Sequence, residues 1–214
     1  MATSEISRHD AAYWYVPIVR AVPAAVIAII ITFSPDHSPT LGFLAFGGFA
    51  VISGLIVAAG SYRTLEAGVT RTVFFAQSII SVLAGIVALL WPGAGIGFLL
   101  FLVSAWAALT GFLELYAGLR SRRKSASSRD WLFIGGLTAL FAVVVLLLPP
   151  DYAHQYTGPD GVDRVLTTSI IMVGALGAYA AIVAVYLVIG GLSLKWAPVA
   201  SSTAAPVLQD GPAS

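Results

Sequence analysis

The chain has 214 residues, 58% of them hydrophobic and only 10% charged, with a formal net charge of +1 and no cysteine. Soluble domains carry about 25% charged residues, so the composition excludes an ordinary soluble fold. The near-neutral charge gives no electrostatic case for nucleic acid, and the absence of cysteine removes disulfides, thiolate metal sites and cysteine nucleophiles together.

Six long apolar segments fall near residues 16–33, 41–59, 72–91, 96–118, 131–149 and 166–192. A helix of about 20 apolar residues crosses a hydrocarbon core of about 30 Å. The expected fold is therefore an all-α membrane protein, with six transmembrane helices arranged as three repeated helical hairpins. In chain order, residues 1–15 form a polar N-terminal segment, 16–195 the transmembrane domain, and 196–214 a tail expected to be disordered because it is small, polar and proline-containing. The start, MATSEISRHD, lacks a basic region followed by an apolar stretch and a cleavage site. The first span is expected to serve as an uncleaved insertion signal.

The first span carries Arg20 and ends at Pro35, beside Asp36 and His37. Two more prolines, Pro92 and Pro149, end the third and fifth spans, at spacings of 92 − 35 = 57 and 149 − 92 = 57. Proline lacks a backbone donor and disfavours helix at the preceding residue, so it ends a span where water can reach the freed carbonyls. Gly54 and Gly111 are also 57 apart, as are Arg63 and Arg120, and Ala50-Val-Ile-Ser-Gly-Leu55 aligns with Ala107-Ala-Leu-Thr-Gly-Phe112. Each unit is a helix, a proline-marked outer turn, a returning helix and a basic inner end. The third unit has a longer outer loop, 150–165, so its second helix is displaced in register. Small residues four apart, at Ala50/Gly54, Ala107/Gly111 and Gly174/Ala178, are expected to let helix backbones approach closely.

Charge sets the orientation. Arg8, Arg63, Arg71, Arg120, Arg122, Arg123, Lys124, Arg129 and Lys195 fall on one side of six alternating spans, against Arg164 on the other. The positive-inside rule then places both termini in the cytoplasm of a plasma (inner) membrane. Tyr13, Trp14, Tyr15, Trp131 and Trp196 are expected as inner interfacial anchors and Trp91 as an outer one, with Trp106 in packing. The densest basic run, with Arg120, Arg122, Arg123 and Lys124, is a candidate contact for anionic lipid headgroups.

The stretch Ile86-Val-Ala-Leu-Leu-Trp-Pro-Gly93, followed by Ala108-Leu-Thr-Gly-Phe-Leu-Glu-Leu-Tyr-Ala-Gly-Leu-Arg120, resembles the HdeD-like acid-resistance membrane proteins and their DUF308-type relatives. The shared pattern is an apolar helix ending in a proline turn, then a helix with Gly-aliphatic-x-Glu/Gln and a basic end, here Gly111, Phe112 and Glu114. The first hairpin matches at Pro35 and Gly54 but has Val57 where Glu114 aligns, and the third matches mainly at Pro149. The resemblance implies a six-helix inner-membrane protein and, for some members, survival in acid. It carries over no catalytic residue, cofactor or transported substrate.

Few residues are left for chemistry. Arg20 and Glu114 lie inside spans, at similar depth from the cytoplasmic side. Charge at membrane depth is costly and defaults to a functional hypothesis. Either the two pair across the bundle, pinning hairpins together or forming part of a proton-responsive site, or Arg20 snorkels to the headgroups while hydroxyls or water hold Glu114. His37 and His154 are candidate pH sensors or a weak metal site in the outer loops, against the plainer reading of two solvated histidines. No regular metal spacing, calcium loop, phosphate loop or catalytic triad is readable.

The expected function is a non-enzymatic membrane protein in envelope acid-stress resistance or scaffolding, with homo-oligomerisation or a membrane-protein partner. The alternatives are a small transporter or ion-conducting channel, and an accessory subunit of a membrane complex.

Overall fold

The computed structural model describes residues 14–122, 127–159 and 161–196. It is an all-α membrane protein with six helices long and apolar enough to cross a bilayer. They are α1 (Tyr15–Phe33), α2 (Pro39–Thr64), α3 (Val69–Leu90), α4 (Ile96–Arg120), α5 (Ser128–Leu146) and α6 (Thr168–Trp196). The bundle thus has a proline end, where each odd helix stops, and a basic end. The residues 1–13 and 197–214, with Tyr13, Arg8 and the expected tail, lie outside the described residues.

The turns at the proline end differ in how they reverse the chain. Before α2, Asp36 Oδ1 accepts from the Ser38 backbone N–H (2.8 Å), Asp36 Oδ2 accepts from Ser38 Oγ–H (2.9 Å), and Ser38 Oγ accepts from the Leu41 backbone N–H. Pro39 occupies the first turn of α2, where its missing N–H has no partner to lose. Gly95, at φ +85°, takes the left-handed conformation that opens α4.

The loop at the proline end of the third repeat, 150–165, is not the plain loop expected. It forms an antiparallel β-hairpin, β1 (Ala153–Thr157) with β2 (Asp163–Thr167), turning through Gly161 at φ +74°. Thr168, the first residue of α6, ties this hairpin to the bundle by donating its Oγ1–H to the Pro149 carbonyl (2.6 Å) and its N–H to the Tyr152 carbonyl (3.1 Å).

The helices close into a ring. Their most extensive contacts are between repeats, not within them: α2 on α3, α4 on α5, and α6 back on α1. The reason lies in the small residues. A Cβ on Gly85 of α3 would stand 2.7 Å from the Gly47 carbonyl of α2, and one on Gly135 of α5 would stand 2.7 Å from the Leu115 backbone nitrogen of α4. Backbones meet directly at these seams.

The third seam uses different residues from those expected. Gly174 has nothing near it and Ala178 is exposed, whereas Gly177 packs on Ile31 and Gly191 on Ile18. The insertion in the loop before α6 shifts that helix by 16 positions, so its offset from α4 is 57 + 16 = 73. Ala107 and Gly111 then correspond to Ala180 and Ala184, both buried.

With these offsets the interior reads as layers, one residue per repeat. Ile31, Ala88 and Val145 form one layer, and Phe46, Val103 and Leu176 another, all buried. Phe49, Trp106 and Tyr179 form an aromatic layer, with Trp106 edge-on to both neighbours. Trp131, expected at the interface, is instead 4% exposed and packs edge-on against Phe74. These two align with Pro17 at the 57-residue spacing, so Trp131 belongs to an interior layer. Trp91 and Trp196 are exposed. So are Val22, Leu83, Phe112, Leu140 and Val185, which face outward as hydrocarbon-facing surface.

Neighbouring glycines give a test of the seams. Gly135→Ala should lower the unfolding temperature in detergent, because overpacking costs about 1–3 kcal/mol. Gly136→Ala, with open space around it, should be neutral or stabilising by up to about 1 kcal/mol, the helix preference of alanine over glycine. Equal effects from the two variants would contradict backbone contact at that seam.

Candidate functional site

Most polar side chains in the interior satisfy themselves locally. Ser61, Ser78, Thr110 and Thr138 each donate to the carbonyl four residues back, at 2.6–2.8 Å, a bond that lets a hydroxyl sit in an apolar helix interface. Because Thr138 gives its proton to Ile134, Tyr179 is the donor in the 2.9 Å Thr138–Tyr179 contact. Trp106 donates its indole N–H to Ser81 Oγ at 3.0 Å.

A carboxylate has no such local solution. Glu114 on α4 is 1% exposed. Both its oxygens are taken by other helices. Arg20 Nη1 on α1 donates to Oε1 at 2.6 Å and Nη2 to Oε2 at 3.0 Å, while Gln77 Nε2 on α3 donates to Oε2 at 3.1 Å. A two-pronged guanidinium–carboxylate contact is among the strongest hydrogen-bonded arrangements a protein offers. The Arg20 side chain is 17% exposed, so the pair is buried mainly from the carboxylate's side.

The repeat explains the geometry. Arg20, Gln77 and Ile134 are 57 apart in succession. They occupy the same position in α1, α3 and α5. Val57, Glu114 and Leu187 occupy the matching position in α2, α4 and α6, at offsets of 57 and 73. One acid therefore stands at the junction of three repeats. A cation from the first repeat and an amide from the second address it, and the third contributes an aliphatic side chain. All of Arg20, Val57, Glu114, Ile134 and Leu187 line one small cavity.

Gln77 is the member that reading the spans alone misses. Its signal is the 57-residue spacing from Arg20. Asp130 is a second one: it lies one residue before the expected start of the fifth span, in the first turn of α5, half-buried beside the same cavity. It accepts a hydrogen bond from Tyr186 O–H of α6 at 3.2 Å.

The other candidate residues lie elsewhere. His37 sits in the turn before α2, next to Asp36, whose carboxylate is engaged with Ser38. His154 is on β1, exposed and opposite Leu166. Among the described residues no group of three or more His, Asp or Glu stands close enough together to hold a metal ion. Arg120 closes α4 and Arg122 follows it, both exposed at the basic end. Arg123 and Lys124 lie outside the described residues, as does Asp160.

Leaving one partner of a buried ion pair alone is strongly destabilising, by about 3–5 kcal/mol, whereas replacing both by apolar residues is far milder. Arg20→Met and Glu114→Leu should each lower stability by that order, and the double variant by much less than their sum, measured by unfolding in mixed micelles as a double-mutant cycle. Additive losses would mean that the two side chains stabilise the bundle independently.

The profile of a family described as a short repeat of unknown function (DUF308) matches residues 76–148. That stretch runs from α3 to the end of α5 and contains Gln77, Glu114 and Asp130. It supports the likeness to DUF308-type proteins over about the middle third of the chain. No curated protein and no solved structure matches the chain.

Proposed function

We propose that this is a non-enzymatic, multi-pass protein of the plasma (inner) membrane, with both termini cytoplasmic, that supports survival of acid stress. The observation that carries the reading is the Arg20–Glu114 pair at the junction of the repeats. An ion pair in that position exists only while the carboxylate is ionised. Protonating Glu114 removes the charge that Arg20 answers and leaves a guanidinium inside the bundle without its counter-ion. Such a charge is costly, so the seams around it reorganise. The pair thereby couples acidity to helix packing, which is what an acid-responsive membrane protein or scaffold requires.

Three further points support the reading. The resemblance to HdeD-like proteins implies the acid-related role. The excess of Lys and Arg on one side, nine against one, supports the orientation. Arg120 and Arg122, with Arg123 and Lys124 of the same run, would meet anionic headgroups at that face, each at about 1 kcal/mol.

The test is survival of acid shock in a deletion strain complemented with wild type or with Glu114→Gln, at equal abundance in the membrane. Wild type should rescue and Glu114→Gln should not, because glutamine keeps hydrogen bonds but cannot change charge. Rescue by both, or no defect on deletion, would contradict the proposal.

A further inference from the structure

Two cavities flank the buried ion pair, and both touch Arg20 and Glu114. The one toward the basic end also reaches Ser61, Asp130 and Trp131; the one toward the proline end reaches Ser53, Gln77, Thr110 and Tyr179. Two atoms in the second cavity, Ser53 Oγ and Gln77 Oε1, have no hydrogen-bond partner, although their residues are only 7% and 4% exposed. An unmet buried polar group costs about 1–3 kcal/mol, and native proteins usually meet it with ordered water. Each cavity leaves about 20 Å³ for a water centre, above the ~10–15 Å³ that one water needs. Gln77 Oε1 can only accept, while Ser53 Oγ–H can also donate, so a water has a bond to give and a bond to take.

The two directions along the bundle axis differ. Toward the proline end the cavity meets Phe49 and Trp106, then Phe46, Val103 and Leu176, one residue from each repeat and all 0% exposed. Toward the basic end it meets half-buried Asp130. The groups facing Glu114 are Arg20 from α1, Gln77 from α3, Asp130 from α5 and Tyr179 from α6, with Ser53 and Ser61 from α2.

We propose that the two cavities hold a short file of water entered from the basic end, which makes Glu114 a proton-binding site that exchanges with that side alone. A hydronium in the file gives its proton to a Glu114 oxygen and becomes water; the carboxylate becomes a carboxylic acid and releases its hold on Arg20. Asp130 stands at the mouth of the file. This inference rests on the reading of Glu114 as the acid-responsive group and adds the side from which protons come.

The chain has no cysteine, so single-cysteine variants report one position each. Ser53→Cys and Ser61→Cys are near-isosteric probes of the two cavities. Glu66→Cys marks the basic end, and Gly93→Cys, with open space around it, marks the proline end. Silver ion, a thiol reagent of roughly water size, is added to one face of sealed vesicles, and maleimide labelling is read after unfolding. Silver on the Glu66→Cys face should abolish labelling of Ser53→Cys and Ser61→Cys; silver on the Gly93→Cys face should leave it intact. Access from the Gly93→Cys face, or from neither face, overturns the inference. Hydroxyl-radical footprinting of the unsubstituted protein covers misfolding of a variant: Trp131 and Tyr179 should be oxidised and Phe46 spared, and equal protection of all three also overturns it. Dry cavities would leave the acid-survival result for Glu114→Gln untouched, and a null survival result would leave the water file in place, so the two failures are distinguishable.

Discussion

A carboxylate surrounded by hydrocarbon must find its counter-charge inside the protein, and that constraint organises this bundle. Two other helices bring Glu114 its partners, Arg20 from α1 and Gln77 from α3. The pair joins the first repeat to the second, which also meet through backbone packing at Gly47 and Gly85 and through Arg71 over the Tyr62 ring. Because lipid gives helices no hydrophobic reason to associate, packing and polar contacts must supply specificity. Glycine seams bring the backbones together, and the ion pair fixes which residues face one another at the centre.

The repetition makes the site legible as a broken symmetry. Layers above it are apolar or aromatic in all three repeats, as with Phe46, Val103 and Leu176. At the level of Glu114 the repeats part company: glutamate in one, valine and leucine in the others; arginine, glutamine and isoleucine on the facing helices. A three-fold ring with three acids at its centre would repel itself, and one with none would give Arg20 no counter-charge. With a single acid, one cation and one amide donor, both carboxylate oxygens meet a partner. The unpartnered atoms lie just beside it, at Ser53 Oγ and Gln77 Oε1.

Much of this was readable from the residues. Hydropathy gave the six spans to within a few residues at most ends, the prolines marked the turns at one end of the bundle, and equal distance from the basic end put Arg20 and Glu114 at one depth. Other features were hidden for identifiable reasons. The 16-residue insertion conceals the register of α6, so Gly174 and Ala178 looked like the third packing pair although Ala180 and Ala184 hold that position. Trp131 looked interfacial because it opens an apolar run, yet α5 begins at Ser128 and carries it inside against Phe74. Gln77 is neither charged nor in a motif, and only its spacing from Arg20 points to it. The β-hairpin went unread because its strands are only five residues each, mixed in polarity and largely exposed, and pairing between them comes from a glycine turn and from the anchoring of Thr168.

Arg20 and Gln77 are equivalent positions of successive repeats, and both address one carboxylate. The most direct measurement is the stability of Arg20→Gln beside the exchange variant Arg20→Gln/Gln77→Arg, by unfolding in the same micelles. Moving the guanidinium to the equivalent position should restore most of the stability lost in Arg20→Gln. If the exchange variant is no more stable than Arg20→Gln alone, the two positions do not share Glu114 in the way the repeat requires.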